Sequence, residues 1–139
     1  MKKFSTIEVE EIINQLDFSK IEGKLIPVIA QDYLTNEVLM LAFADQSAVQ
    51  KCLETGFAYY FSRSRQRVWK KGESSGHVQK IKAFITDCDN DSILIKVKQK
   101  IGACHKGYYT CFFKTLDNGN FTENSTRIFD PKEVYEKLI

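Results

Sequence analysis

Apolar residues near the start of the chain recur at the spacing of an amphipathic helix. Ser5 and Glu8 form a capping box, which satisfies free N–H groups at a helix start. Four apolar residues then follow at positions i, i+3, i+4 and i+7: Val9, Ile12, Ile13 and Leu16. The pattern predicts a helix over about residues 5–17.

Two further helices are indicated by their end signals. Asp45 can cap a helix that ends at Gly56, and its apolar face would carry Ala48, Val49, Cys52 and Leu53. Cys52 is therefore interpreted as a core residue. Near the end of the chain, Asp130 followed by Pro131 and Glu133 predicts a final short helix.

Apolar, partly β-branched segments predict strands over most of the remaining chain. Thr35-Asn36 separates the first two and predicts a hairpin, whereas residues 62–76 are polar and predict a long loop. Strands outnumber helices without βαβ alternation, so we expect an α+β fold: a mainly antiparallel sheet with a few short helices in one domain, 1–139. The predicted strands are residues 25–32, 38–44, 58–61, 78–86, 93–98 and 110–116.

Composition and charge exclude several classes of function. The chain has 139 residues, enough for one domain with a real core, and no apolar run long enough to span a membrane. No apolar segment follows Lys2 and Lys3, so we expect a cytoplasmic protein. A net charge of +2 is too small for non-specific nucleic-acid binding. Four cysteines without a secretion signal favour free thiols or metal ligands over disulfides.

An acidic cluster follows one of the predicted strands. Asp87, Asp89 and Asp91 alternate along the chain, so in an extended segment they would point one way and Cys88 the other. Clustered carboxylates suit Mg²⁺ or Ca²⁺, although a solvated acidic turn has the same pattern. An EF-hand is excluded, because Ser92 and Lys98 stand where its glycine and its last glutamate are required.

Three cysteines are candidate zinc ligands. Cys88, Cys104 and Cys111 would leave a fourth coordination position for the water that catalytic zinc requires. His105 follows one of them and could carry a proton. The two flanking glycines, Gly102 and Gly107, would let the ligands converge, but three small core cysteines remain the alternative.

The predicted loop between Gly56 and Gly76 is basic and rich in serine. Five positive side chains oppose Glu73 alone, and arginine with serine hydroxyls is typical of phosphate contacts. A substrate with two phosphate groups would suit the loop, whereas a solvated basic loop is the alternative. The positive residues are Arg63, Arg65, Arg67, Lys70 and Lys71. Trp69 within them is more typical of a packing anchor.

From residue 25 to residue 113 the sequence resembles the phosphoribosyl-AMP cyclohydrolase family. The motifs that carry the resemblance occur in order: Ser62-Arg63-Ser64-Arg65, Trp69-Lys70-Lys71-Gly72, Ser75-Gly76-His77-Val78-Gln79, the acidic segment 87–91, and residues 102–107 with Cys111. Residues 1–24 lie outside it.

The resemblance implies an activity and a set of site residues. The family hydrolyses the N1–C6 bond of the adenine ring of 1-(5-phosphoribosyl)-AMP to give ProFAR, a step of L-histidine biosynthesis. It implies an intertwined homodimer with one Zn²⁺ per subunit on Cys104, Cys111 and the partner chain's Cys88, with His105 catalytic, and Mg²⁺ on Asp87, Asp89 and Asp91. We assign substrate binding to Ser62, Arg63, Ser64, Arg65, Trp69, Lys71, Ser75 and Gly76. No pyrophosphohydrolase domain is expected after the cyclohydrolase.

Two other functions share parts of the pattern. A zinc nucleotide deaminase would also activate water, but the H-x-E and P-C-x-x-C motifs of that class are missing from the sequence. A structural zinc module that binds RNA through the basic loop would show steeply salt-dependent binding and a closed four-ligand metal site.

Overall fold

The computed structural model describes residues 1–135, which form three helices and eight strands. The helices are α1 (Thr6–Ile13), α2 (Gln46–Thr55) and α3 (Pro131–Tyr135). The strands are β1 (Ile26–Asp32), β2 (Val38–Ala44), β3 (Tyr59–Ser62), β4 (Arg67–Lys70), β5 (Gln79–Thr86), β6 (Ile93–Gln99), β7 (Lys114–Asp117) and β8 (Asn120–Glu123). The α+β class and the mainly antiparallel sheet are confirmed.

The three helices begin where their caps predict. Ser5 and Glu8 form the capping box of α1, and the Asp45 carboxylate accepts the Ala48 N–H at the start of α2. Gly56 ends α2 in the left-handed conformation, with φ +78°. The C-terminal end predicted for α1 is wrong, because its last turn tightens after Ile13 and the Asp17 N–H then bonds to the carbonyl of Asn90.

Six strands form one sheet in the order β4-β3-β2-β1-β6-β5. The predicted β1–β2 hairpin is present, and only the β1–β6 pair within this sheet is parallel. An antiparallel bridge joins Phe57, just before β3, to Lys80 on β5. The two ends of the strand order therefore approach each other, and the sheet is curled.

Two strand predictions need correction. Residues 62–76 contain β4, which pairs with β3 as a hairpin, so the segment is not a continuous loop. The predicted strand 110–116 begins only at Lys114, because the preceding residues bond to the edge of β2: Thr110 Oγ1 donates to Val38 O and Cys111 N to Leu39 O. Strand β8, which pairs with β7, was not predicted.

The sheet has a buried face and a partly exposed apolar face. The buried face packs with α2 in one core that contains Cys52, as predicted. On the opposite face, strand pairing aligns four apolar residues across β2, β1, β6 and β5, and we call them the outer row: Leu41, Ile29, Leu94 and Ile85. Leu41 is 51% exposed and Ile29 is 37% exposed. Within residues 1–135, no helix is long and apolar enough to cross a membrane.

Candidate active site

A cleft of about 590 Å³ opens beside the β3–β4 hairpin. It falls in the size range of pockets for small molecules. Seven of the eight residues assigned to substrate binding line it: Ser62, Arg63, Ser64, Arg65, Trp69, Lys71 and Ser75. Gly76 is not among the lining residues.

The cleft carries more positive than negative charge. Arg67 donates to Glu73 at 2.8 Å, which neutralises the one acidic side chain of the wall. Arg63 lies over the ring of Phe43, 4.1 Å from its centroid, and this contact orients its guanidinium at the cleft. Arg65 takes part in none of the salt bridges within the described part of the chain. The cleft therefore suits an anionic ligand.

The turn between β3 and β4 holds its polar groups by short-range hydrogen bonds. Ser62 Oγ accepts the N–H of Arg65 at 3.2 Å and lies 3.4 Å from Ser64 Oγ. Gln66 adopts φ +53° and donates to the carbonyl of Arg63. This compact turn keeps two hydroxyls and two arginines on the cleft wall.

Cys104 and Cys111 face each other beside this cleft. Backbone hydrogen bonds hold the Cys104 turn, because Cys104 N donates to Tyr108 O and Gly107 N donates to Cys104 O, each at 3.1 Å. Cys111 is fixed through its bond to the β2 edge. The two thiols border a second hollow of about 440 Å³. The sequence spacing thus brings two of the three candidate zinc ligands together.

The electrostatics of this pair are unusual because a buried lysine lies near it. Partial desolvation raises the pKa of Cys111, the neighbouring Cys104 acts in the same direction, and Lys71 lowers it. Burial lowers the pKa of Lys71, whereas the charges of Cys111 and Cys104 raise it. Two adjacent thiols are a donor set that fits a thiophilic ion such as zinc.

His105 lies at the boundary between the two hollows. Its exposed side chain lines the basic cleft and also the hollow that contains Cys104 and Cys111. A ligand in the basic cleft would therefore lie next to both the imidazole and the thiol pair. This position is compatible with proton transfer to or from such a ligand.

Cys88 lies apart from the other two cysteines within one chain. It is exposed in the turn between β5 and β6. Among residues 1–135, only Asp87, Asp89 and Asp91 form a group of three potential metal ligands, and no cysteine belongs to that group. Their ligand atoms lie within 4.8 Å of one another. Our expectation that an extended segment aligns these carboxylates was wrong. A turn brings them together, with Asn90 at φ +59° and Asp87 accepting the N–H groups of Asp91 and Ser92.

A lysine side chain enters the acidic turn. Lys20 Nζ lies 2.5 Å from Asp89 Oδ2 and 3.1 Å from Asp91 Oδ2. The hydrogen bond from Lys20 lowers the pKa of Asp89 to about 2, whereas the hydrogen bond with Asp89 raises the pKa of Asp91. A single cation thus already bridges two of the carboxylates, which shows that their geometry accepts a shared positive charge.

Sequence reasoning missed the apolar and C-terminal parts of the site. Phe43 and Phe61 line the cleft from the exposed face of the sheet, and the outward positions of β2 and β3 were the signal that could have identified them. Tyr135 lines the same cleft from α3, and nothing in the sequence pattern pointed to it. Gly102 was expected to let the zinc ligands converge, but it also allows the C-terminal segment to pack closely. A Cβ at Gly102 would lie 3.1 Å from side-chain atoms of Ile128 and Phe129.

A basic cleft that shares a histidine with a hollow lined by two thiols fits an enzyme that acts on a phosphorylated small molecule. The family model described as phosphoribosyl-AMP cyclohydrolase matches residues 40–113, which contain the cleft-forming hairpin and the thiol pair. The chain belongs to the phosphoribosyl-AMP cyclohydrolase family.

Curated relatives agree with the family model over most of the chain. It is 59% identical over 116 residues to a phosphoribosyl-AMP cyclohydrolase of Methanothrix thermoacetophila, covering 84% of this chain and 93% of the relative. It is 56% identical over 124 residues to that of Desulforapulum autotrophicum, covering 88% and 98%. It is 49% identical to a histidine biosynthesis bifunctional protein of Thermoanaerobacter pseudethanolicus, covering 92% of this chain and 58% of that protein. The chain is thus a hydrolase of histidine biosynthesis.

Proposed function

We propose that the protein hydrolyses the N1–C6 bond of the adenine ring of 1-(5-phosphoribosyl)-AMP and releases ProFAR. The observation that carries the proposal is the position of His105, which borders both the basic cleft and the thiol pair. An adenine ring bound between them would present its reacting bond to the imidazole. We further propose that the enzyme acts in the cytoplasm, where free thiols persist.

The cleft supports recognition of a nucleotide with two phosphate groups. Arg63 and Arg65 offer forked donors, and Ser62, Ser64 and Ser75 offer hydroxyls on the same wall. Trp69 lines the cleft while its ring packs 5.4 Å from that of Tyr60, so it gives a rigid apolar surface for the ligand. These residues bind and orient the substrate.

The chemistry requires water to add to C6 and the C6–N1 bond to break. Oxygen from water becomes the carbonyl oxygen of the new amide, and N1 gains a proton as it leaves. His105 would accept the proton released by the attacking water and deliver it to N1. Enclosure of the reacting atoms between the cleft and the apolar residues Phe112 and Phe113 would limit competing solvent.

Cys104 and Cys111, with the partner chain's Cys88, are proposed to hold Zn²⁺, and Asp87, Asp89 and Asp91 to hold Mg²⁺. The zinc would supply Lewis-acid activation of the attacking water. The adjacent thiols of Cys104 and Cys111 and the clustered carboxylates support these assignments. Lys20 would have to leave the acidic turn when Mg²⁺ enters it.

A homodimer is proposed because the outer row is an exposed apolar band and because one chain does not bring Cys88 to the other cysteines. A second copy packed on the outer row would remove Leu41, Ile29, Leu94 and Ile85 from water. It could also supply the third thiol. Subunit association and completion of the zinc site would then be linked.

The test is a turnover assay on purified protein loaded with Zn²⁺ and Mg²⁺. Addition of 1-(5-phosphoribosyl)-AMP should produce the ultraviolet change of purine opening, with ProFAR as product and no ammonia. Ammonia release would instead identify a deaminase. His105→Ala should lower kcat by about 100-fold, the usual contribution of a general acid–base group, while zinc content stays the same.

The contribution of His105 has a matched control on the same turn. Lys106→Ala removes another exposed side chain from the same turn, so it tests for unspecific damage to that turn. Lys106→Ala is expected to reduce kcat far less than His105→Ala. Equal losses in the two variants would remove the proposed role of His105.

A further inference from the structure

Lys71 is a buried cation whose charge is not balanced by a carboxylate within the described part of the chain. Its residue is only 8% exposed, and none of the four salt bridges among residues 1–135 includes it. Burying a charge is costly unless it is hydrogen-bonded or paired. Its ammonium has one hydrogen bond, donated to the carbonyl of Ala103 at 2.5 Å.

The backbone around Lys71 gives this side chain a fixed direction. Lys71 N donates to Ala58 O at 3.0 Å, which anchors the end of β4. On the other side, Gly72 has φ +85°, and a Cβ there would stand 2.6 Å from His77 C and Val78 N. The chain therefore folds back tightly immediately after Lys71, and the lysine points inward.

The carbonyl that Lys71 holds belongs to the residue before Cys104. Within its own segment this turn is held by two further backbone bonds: Ala103 N donates to Tyr109 O, and Cys104 N donates to Tyr108 O. Lys71 is thus a link from the β3–β4 hairpin to the turn that carries a proposed zinc ligand. It spans 32 positions along the chain.

We propose that Lys71 is a positioning residue for the zinc site, rather than a substrate-phosphate contact. The inference rests on the proposed zinc ligation by Cys104 and Cys111. Lys71 holds the Ala103 carbonyl in place and supplies positive charge beside the thiolates. It thereby replaces the substrate-binding role assigned to Lys71 from sequence.

Two observations favour this role over a phosphate contact. Arg63, Ser64 and Arg65 are exposed on the cleft wall, whereas Lys71 is buried and its ammonium is engaged by a backbone carbonyl. The bond to Ala103 O uses one of the three N–H groups of the ammonium and fixes its direction, so only two remain for any other ligand. The anions close to Lys71 within the chain are the potential thiolates.

Charge balance also favours a cation beside the proposed zinc site. Three thiolates with one divalent zinc ion carry a net negative charge, and a fixed cation nearby stabilises that state. The stabilisation is larger beside a buried group than in open solvent. Removing the charge while keeping the shape should therefore weaken zinc binding, even if no ligand is altered.

The experiment compares zinc affinity, measured by competition with a chromophoric chelator, between the intact protein and Lys71→Met. Methionine keeps most of the volume but removes the charge and the donor. We expect zinc affinity to fall by about 10- to 100-fold, the range for groups that support metal ligands from outside the coordination shell. Lys71→Arg, which keeps a charge and a donor, should bind zinc more tightly than Lys71→Met.

Lys70→Met is the matched control, because it removes the same charge one position earlier, where the ammonium lies 4.8 Å from the centroid of the Phe57 ring. Its zinc affinity should stay within about twofold of the intact protein, as expected of a screened, partly exposed charge. If Lys70→Met and Lys71→Met weaken zinc binding equally, a general loss of charge explains the result and the proposal is wrong.

A raised KM with unchanged zinc affinity in Lys71→Met would identify Lys71 as a phosphate contact and overturn the proposal. Absence of zinc binding by the intact protein would instead contradict the proposed function itself.

A second measurement avoids dependence on the folding of the variant. In intact protein with ¹³Cε-labelled lysine, zinc should shift the Lys71 resonance and AMP should not. The opposite pattern would refute the assignment.

Discussion

Gly107 lies directly against the backbone of Phe129: a Cβ on Gly107 would stand 2.5 Å from the carbonyl oxygen of Phe129. Ile128 N also donates to Gly107 O at 2.8 Å, so the segment before α3 is tied to the turn that carries Cys104 and His105. Gly107 has φ +101°, a conformation that side chains rarely adopt. The glycine therefore allows the C-terminal segment to close over the turn.

Gly107→Ala should destabilise the protein and loosen the Cys104 turn. The clash and the positive φ together should lower the free energy of unfolding by about 2 kcal/mol or more. Gly119→Ala is the control, since Gly119 has φ +83° but nothing within 4 Å of its Cβ position. It should cost only about 1 kcal/mol, the left-handed strain alone. Urea unfolding measures both, and equal losses would show that contact with Phe129 is unimportant.

Removing either thiol of the pair should abolish zinc binding. Cys104→Ser and Cys111→Ser each delete a proposed ligand, so zinc affinity should fall more than the ~100-fold expected for a supporting group. Metal analysis after dialysis is the measurement. Cys52→Ser is the control, because Cys52 bonds only to the backbone of Tyr59, and serine can make the same bonds. Zinc retained in Cys111→Ser would contradict the ligand assignment.

Asp32 should make the stability depend on pH in the acidic range. Burial alone would raise its pKa, but hydrogen bonds from Tyr109, Thr35 and Leu34 outweigh it and hold the pKa below its usual value. A lowered pKa in the folded state stabilises the protein above the unfolded-state pKa, and this contribution is lost as pH falls through the folded-state value.

Asp32→Asn tests this linkage through urea unfolding at several pH values. The variant should be less stable than the intact protein at pH 7, and the difference should shrink below about pH 4, where the unfolded-state carboxylate becomes protonated. Asp45→Asn is the control, since asparagine is an equally good cap for α2. A stability difference for Asp32→Asn that does not change with pH would contradict the role of the ionised carboxylate.

Arg65→Ala should weaken substrate binding and leave the metal site intact. Loss of a charge-assisted contact to phosphate should raise KM by about 10- to 100-fold. Zinc content should not change, because Arg65 lines the basic cleft and is not among the residues that line the hollow containing Cys104 and Cys111. Lys98→Gln removes one exposed positive charge from β6 and controls for net charge. An unchanged KM in Arg65→Ala would exclude it as a phosphate contact.

Ile29→Glu should dissociate the proposed homodimer. Ile29 is one of the two inner members of the outer row, paired with Leu41 on one side and Leu94 on the other. A carboxylate there cannot be buried between two copies without a large desolvation cost. Light scattering after gel filtration should show a monomer, with loss of zinc. Leu34→Glu, at a residue that is 74% exposed in the β1–β2 turn, should remain a dimer.

Local signals in the sequence were sufficient for the starts of the helices and for the main hairpin. The caps of α2, Asp45 and Gly56, act on backbone groups within a few residues, so the pattern predicts them directly. Strand β4 was missed because it has only four residues inside a basic segment, and it forms a strand through its pairing with β3. The same limit applies to β8, which depends on its partner β7.

In the candidate site, too, the sequence indicated some features, and only the tertiary structure decided the others. By themselves, the residues determined the kinds of chemistry available: a basic, hydroxyl-rich segment, four free-thiol candidates, and three clustered carboxylates. Cys104 and Cys111 come together as expected, although the six residues between them exceed the two to four that are typical of a zinc knuckle. Only the tertiary structure decided that Tyr135 lines the cleft, that Lys71 reaches Ala103, and that Cys88 is separate within one chain. Caps and turns depend on neighbouring residues, whereas these contacts depend on the path of the curled sheet that brings distant segments together.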